Sequence, residues 1–239
     1  MAPDLRVMSG IKVLDLSRVL AGPWSTQILA DFGADVVKVE APGRGDDTRA
    51  WGSPIPALDP SQKVAGESAY YLSTNRNKRS LAIDLADPKG ADLIRKLAAE
   101  ADIVVENFKV GGLKRYGLDY QTLSAINPRL IYCSITGFGQ DGPYADRPGY
   151  DFVAQAMGGM MSITGEADGP PIKTGVAVAD LSTGLYATIS ILMALRHAEQ
   201  TGQGQHIDCS LLDTQLAMLA NQGSSYLVSG QSPSRMGNS

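Results

Sequence analysis

The sequence predicts an α/β fold with a mostly parallel sheet. Three observations carry this expectation. Lys12–Ser17 (KVLDLS) and Ala34–Glu40 (ADVVKVE) read as strands on either side of a helical stretch over Pro23–Phe32. A second helical stripe, Leu93, Ile94, Leu97 and Ala98, leads into Asp102–Phe108 (DIVVENF). Leu130–Thr136 (LIYCSIT) is a further short apolar run. Strand, helix and strand within about 30 residues is the βαβ pattern, and near-continuous apolar strands belong to sheets covered on both faces.

Taken in order, the first helix is entered through Ala21-Gly22-Pro23. The helix over Asp87–Glu100 has Pro88 in its first turn, where a missing N–H costs nothing. Between Gly43 and Arg79, Pro, Gly, Ser and Asp are frequent and periodicity is poor, so a long irregular excursion is expected, functional or mobile in character. From Tyr150 onward the chain turns helical. Ala179-Asp180 precedes an apolar run, Leu181–Ala198, that stops at Thr201-Gly202-Gln203-Gly204. His206–Ser210 reads as a strand and Leu211–Leu227 as one further helix, with a polar, unpatterned segment from Gly230.

With 239 residues, 44% of them hydrophobic and 19% charged, the chain has the composition of a folded globular protein. A net charge of −4 gives no general attraction to nucleic acid or anionic membrane. The two cysteines, Cys133 and Cys209, form no CxxC pair, and HExxH is absent, so no metal site is expected and a reducing compartment fits. No apolar run of about 18 residues is evident, and Met1–Ser17 lacks the apolar core of a signal peptide. A cytoplasmic protein is the expectation.

Among residues that carry chemistry, Asp180 stands out. At an expected strand-to-helix junction it reads as an N-cap, its side chain bonding the first N–H groups. The same position would hold a carboxylate ionised, as a carboxylate nucleophile requires. Asp151, after the turn Arg147-Pro148-Gly149, also has a cap position, beside Tyr150. Asn75–Arg79 (NRNKR) is a basic cluster and Lys109, Lys114 and Arg115 a second; both read as solvated faces or as holders of phosphate. Gly43–Thr48 (GRGDDT) begins like a dinucleotide fingerprint but lacks the third glycine, and no Walker loop is present.

LDLSRVLAGPWSTQILADFGADVVKVEAPGRGDDTR (Leu14–Arg49) resembles the opening of the family III CoA transferases, the CaiB/BaiF family. The resemblance continues in order through Asn75–Leu85, Ala101–Phe108, Gly117–Tyr120, Asn127–Tyr144, Gly149–Pro171 and Thr201–Asp213. It implies a Rossmann-like large domain that stops before the family's small domain. Residues 1–228 would be the N-terminal part of that domain and 229–239 a linker. It also implies an interlocked homodimer in full-length members.

The resemblance further implies the chemistry. An aspartate, Asp180 in AVADLSTG, would attack an acyl-CoA thioester and then carry CoA as an aspartyl thioester. Coenzyme A and small carboxylic acids would be the partners. The CoA site would include Arg18, Val19, Leu20 and Ala21 after the first strand, and Asn107, Phe108, Arg115 and Tyr150 elsewhere. Leu20 and Ala41 depart from the formyl-CoA transferase branch. The racemases of the same fold have a histidine where this chain has Tyr150, a poor base. The similarity is greatest to the branch that moves CoA between dicarboxylates, including succinyl-CoA:glutarate enzymes. A second substrate carboxylate would want a guanidinium, from Arg18 or Arg49. The alternative is a shortened homologue that binds CoA or a partner without turnover.

Overall fold

The structure, a computed structural model, describes residues 6–53 and 67–237. Six parallel strands form one sheet in the order β3-β2-β1-β4-β5-β6. They are β1 (Lys12–Asp15), β2 (Asp35–Glu40), β3 (Arg79–Ala82), β4 (Ile103–Glu106), β5 (Ile131–Thr136) and β6 (His206–Ser210). The helices are α1 (Ala21–Asp31), α2 (Ala69–Asn75), α3 (Pro88–Glu100), α4 (Tyr120–Ile126), α5 (Asp151–Met157), α6 (Val178–Thr201), α7 (Leu211–Ala217) and α8 (Ala220–Ser229).

The central strands are largely apolar on both faces because both faces are covered. Val13, Ile103, Val105, Ile131 and Cys133 point to a core shared with Leu29 of α1 and with Ala187 and Ile191 of α6. Their alternating neighbours Leu14, Val104 and Tyr132 point to a second core with Ile94 and Ala98 of α3 and Leu123 of α4. Period-two alternation thus separates two helical layers. Asp87 caps α3 by accepting the Lys89 N–H at 3.0 Å, with Pro88 at the first helical position.

Several expectations are corrected. The excursion over 43–79 contains a 3₁₀ turn at Asp47–Ala50, then α2 and the start of β3; its stretch 54–66 lies outside the described residues. Leu211–Leu227 is two helices, broken after Ala217, and Ala220 opens the second with φ +48°. No strand leads into α6; the chain reaches it through a 3₁₀ turn at Met161–Ile163 and a loop. α6 is, by length and composition, long and apolar enough to cross a membrane, which the sequence reading missed; here it packs against α1 and the sheet. The segment after α8 folds back, and Arg235 donates to the carbonyls of Glu166, Ser162 and Gly169.

Candidate active site

In this strand order the chain leaves β1 toward β2 on one side and returns to β4 on the other. The crevice at such a switch point, outside the carboxyl ends of the strands, is where open α/β sheets bind ligands. Two cavities lie there. One, of about 310 Å³, is lined by Arg18, Val19, Leu20, Ala21, Asn107, Phe108, Tyr150 and Asp180 among others. The second, of about 170 Å³, is walled by Leu16, Val39, Ile83, Phe108 and Tyr116. Arg18 and Phe108 line both.

Close helix packing brings Asp180 to the larger cavity. Four residues after it, Gly184 lies against α1, where a Cβ would come within 2.7 Å of the Ala21 carbonyl. The hydroxyl of Thr188, four further on, bonds Ser25 at 3.0 Å. This row therefore seats the start of α6 beside the β1–α1 loop. Gly137 and Gly149 touch backbone to backbone, with no room for a Cβ on either. That contact brings Tyr150 and Asp151 to the end of β5.

Asp180 is not the cap of α6. Ala177 holds the N-cap position without a side-chain bond, and Asp180 is the third helical residue. The capping carboxylate is Asp151, whose Oδ1 accepts the N–H groups of Ala179 at 2.8 Å and Asp180 at 3.2 Å. Nor does Asp151 cap its own helix, as its sequence position suggested; it is the first residue of α5, after an N-cap at Tyr150 that makes no side-chain bond. Its Oδ2 accepts from Gln155 Nε2 at 2.6 Å, and Gln155 Oε1 accepts the Thr174 N–H at 3.0 Å. Burial and then the Asp151 charge push the Asp180 carboxyl up to about 7. Burial, first, and the Asp151 charge thus work against the ionised form that a helix start would favour, and Asp151 accepts two of the N–H groups there.

The loop of Arg18 to Ala21 is fixed at each step. Ser17 N–H donates to Asp15 at 2.9 Å. Asn107 accepts the Arg18 N–H and donates to the Arg18 carbonyl. Val19 takes φ +70°, a left-handed conformation that is strained for a β-branched residue. Its N–H donates to Asp46 Oδ2 at 3.1 Å. Asp46 is in turn paired with the buried Lys38 at 2.9 Å, and although burial works against its charge, Lys38 and the Thr48 N–H hold its carboxyl below the usual range.

The remaining sequence-derived candidates separate clearly. Arg18 lies over the Phe108 ring, 5.3 Å from its centroid, with its Nε buried and unbonded. Tyr150 is exposed at the wall of the larger cavity. Arg115 stacks on Tyr116 and lines neither cavity. Arg49 also lines neither; its Nε and Nη2 bond Glu40 at 2.8 and 2.7 Å, over the Tyr71 ring. In the basic cluster, Arg76 and Arg79 pair at the surface with Asp31 and Asp35. Lys78 is buried, bonding Asp15 at 3.0 Å and the Pro23 carbonyl at 2.8 Å. The cluster is thus not a wholly solvated face. Among the described residues, no three metal-ligating side chains gather.

Comparison with known proteins fits this geometry. The family model of CoA-transferase family III matches residues 8–239. The chain is 58% identical to the succinate–glutarate CoA-transferase of Agrobacterium fabrum, over 97% of this chain and 57% of that protein. It is 49% identical to the human succinyl-CoA:glutarate CoA-transferase, over 98% of this chain and 52% of that protein. A CaiB/BaiF family protein from Brucella suis superposes with a TM-score of 0.93 at 56% identity, over 97% of this chain and 60% of that one. The chain spans about half the length of the curated relatives it matches. It belongs to CoA-transferase family III.

Proposed function

We propose that the chain carries the CoA-binding and acyl-accepting half of a transferase that moves CoA from a dicarboxylic acyl-CoA to a free dicarboxylic acid. The observation that carries this reading is the Asp180 carboxylate, at the wall of the larger cavity and with no hydrogen bond to it among the described residues. The smaller, largely apolar cavity suits a flat ring system, with Phe108 as one wall. The larger gives the pantetheine arm a path to Asp180. Arg18, which lines both and lies 3.7 Å from Asp47, would meet a phosphate or the second carboxylate of the acid, a task suited to its planar fork of donors. Succinyl-CoA as donor and glutarate as acceptor are proposed from the names of the two relatives.

A carboxylate oxygen of Asp180 attacks the thioester carbonyl, forming a C–O bond and expelling CoA thiolate. The thiolate attacks the aspartyl carbonyl of the anhydride, releasing the donor acid and leaving aspartyl-CoA. The acceptor carboxylate reverses the two steps. Each is an acyl transfer between activated species, so thioester energy is kept and no ATP is required. A tyrosine, Tyr150, stands where the racemases of the same fold have a histidine, which disfavours racemase chemistry.

Apolar side chains left exposed on α6 and α8, including Leu185, Met193, Leu227 and Val228, favour a second reading. Under it the chain binds CoA but turns over only when further polypeptide or a second subunit covers this face. Incubation with succinyl-CoA and glutarate tests the first reading by acyl exchange. Calorimetric CoA binding without exchange would select the second.

A further inference from the structure

We propose that Asp151 is a positioning residue for the reaction: it takes the N–H groups of Ala179 and Asp180 at the start of α6 and sets a fixed negative charge beside Asp180, making Asp180 the stronger nucleophile. This rests on the reading of Asp180 as acyl acceptor. A helix N-terminus ordinarily lends its unpaired N–H groups to a nearby anion. At the start of α6 the N–H groups of the first three helical residues are taken. The Val178 N–H donates to the Val176 carbonyl at 2.9 Å, and the Leu181 N–H to the Ala177 carbonyl at 3.0 Å. The two between, Ala179 and Asp180, donate to Asp151. Asp151 is itself anchored through the fully buried Gln155 to Thr174, so its carboxylate is fixed by α5 and by the loop before α6.

The other groups around Asp180 do not offset that charge. Tyr70 on α2 has its phenol pushed up by burial and by the charges of Asp180 and Asp151. Arg18, Asp47, Lys109, Asp146 and Arg147 share the cavity, and none donates a hydrogen bond to Asp180. Burial and Asp151 therefore act in the same direction on its ionisation.

The reaction relieves this repulsion. As Asp180 attacks, the C–O bond forms, the C–S bond breaks, and the electron pair leaves with sulfur. Negative charge passes from Asp180 to the thiolate, away from Asp151. When the thiolate attacks in turn, the charge departs on the donor acid, and Asp180 remains acylated and neutral. A fixed charge beside the nucleophile thus disfavours the free enzyme more than the acyl-enzyme, which is differential stabilisation along the reaction path.

Two variants test this. Asp151→Asn keeps an oxygen for the Ala179 and Asp180 N–H groups but removes the charge; Asp151→Ser is neutral and itself a helix-capping residue. The ionisation of Asp180 is followed by carboxyl ¹³C NMR, assigned with Asp180→Asn, and the pH profile of succinyl-CoA:glutarate exchange is recorded in parallel. The expected result is a midpoint near 7 that falls toward the ordinary carboxylate range in either variant. The acidic limb of the rate profile should move with it, and less aspartyl-CoA should accumulate at steady state. An unmoved midpoint in a folded variant overturns the proposal. Should neither variant fold, the unmutated chain decides, since an Asp180 midpoint in the ordinary range overturns it equally. Absence of both exchange and an Asp180 adduct contradicts the nucleophile reading instead, and does not alter the titration.

Discussion

Asn107, just beyond the end of β4, grips the peptide of Arg18 from both sides: its Oδ1 accepts the Arg18 N–H at 2.9 Å and its Nδ2 donates to the Arg18 carbonyl at 2.7 Å. Its amide is therefore spent on the wall of the site rather than on a ligand. Asn107→Ala should cost about 1–2 kcal/mol of stability, two hydrogen bonds at a part-buried site. It should also weaken CoA binding severalfold. Thermal melts and calorimetry check both; unchanged affinity would mean that the loop keeps its shape without the clamp.

Val19 and Asp46 make the next case. Val19→Gly removes the penalty of a left-handed β-branched residue and should leave stability unchanged or raise it by about 1 kcal/mol. Asp46→Ala should cost about 3–5 kcal/mol, because Lys38 is left buried without its partner. Chemical denaturation of both variants reads this directly. A marked loss from Val19→Gly would show that the side chain's packing, not the strain, dominates there.

Stability should pass through a maximum in mildly acidic solution. Burial opposes ionisation of Asp15, but Lys78, Lys38, Ser17 and Thr26 outweigh it and hold the carboxyl at about 2. Glu40, likewise buried, is held at about 2 by Arg49, Ser80, the Asp46 N–H and Tyr71. These two contribute stability above the unfolded value near 4, and lose it as pH falls from about 4 through 2. Asp180 and Glu106 behave oppositely. Both are pushed up to about 7 by burial first, so the folded state binds more protons than the unfolded one between about 4 and 7. Stability should fall as pH rises through that window. Melting temperatures from pH 3 to 9 would show it; a plateau between pH 5 and 8 would contradict it.

Arg18 and Arg49 should part company. Arg18→Ala should raise KM for dicarboxylic substrates by roughly 10-fold or more, the scale for losing a charge-assisted pair. Arg49→Ala should cost stability through Glu40 and leave the preference for dicarboxylates intact. Equal losses for mono- and dicarboxylic acids in Arg18→Ala would remove Arg18 from carboxylate recognition.

The buried strands were legible because their signal is local. β4 and β5 carry their apolar residues within the strand, and the sequence reading located both. β3 was missed, since RSLA is a mostly exposed edge strand with no alternation to detect. The break before Ala220 has neither glycine nor proline to announce it. Lys78 looked like one more surface cation, because nothing nearby says that Asp15, 63 residues earlier, awaits it. Asp151 is the instructive case. A cap supplied from 28 residues away leaves no trace at the helix it caps, so Asp180 appeared to be its own cap. Family resemblance pointed to Asp180, whereas the account of its environment required the fold.

The most direct test of the central claim is mass spectrometry of the chain after incubation with succinyl-CoA and hydroxylamine. A hydroxamate is expected on the peptide that contains Asp180, absent in Asp180→Asn. A hydroxamate on a different carboxylate, or one that survives in Asp180→Asn, would contradict it.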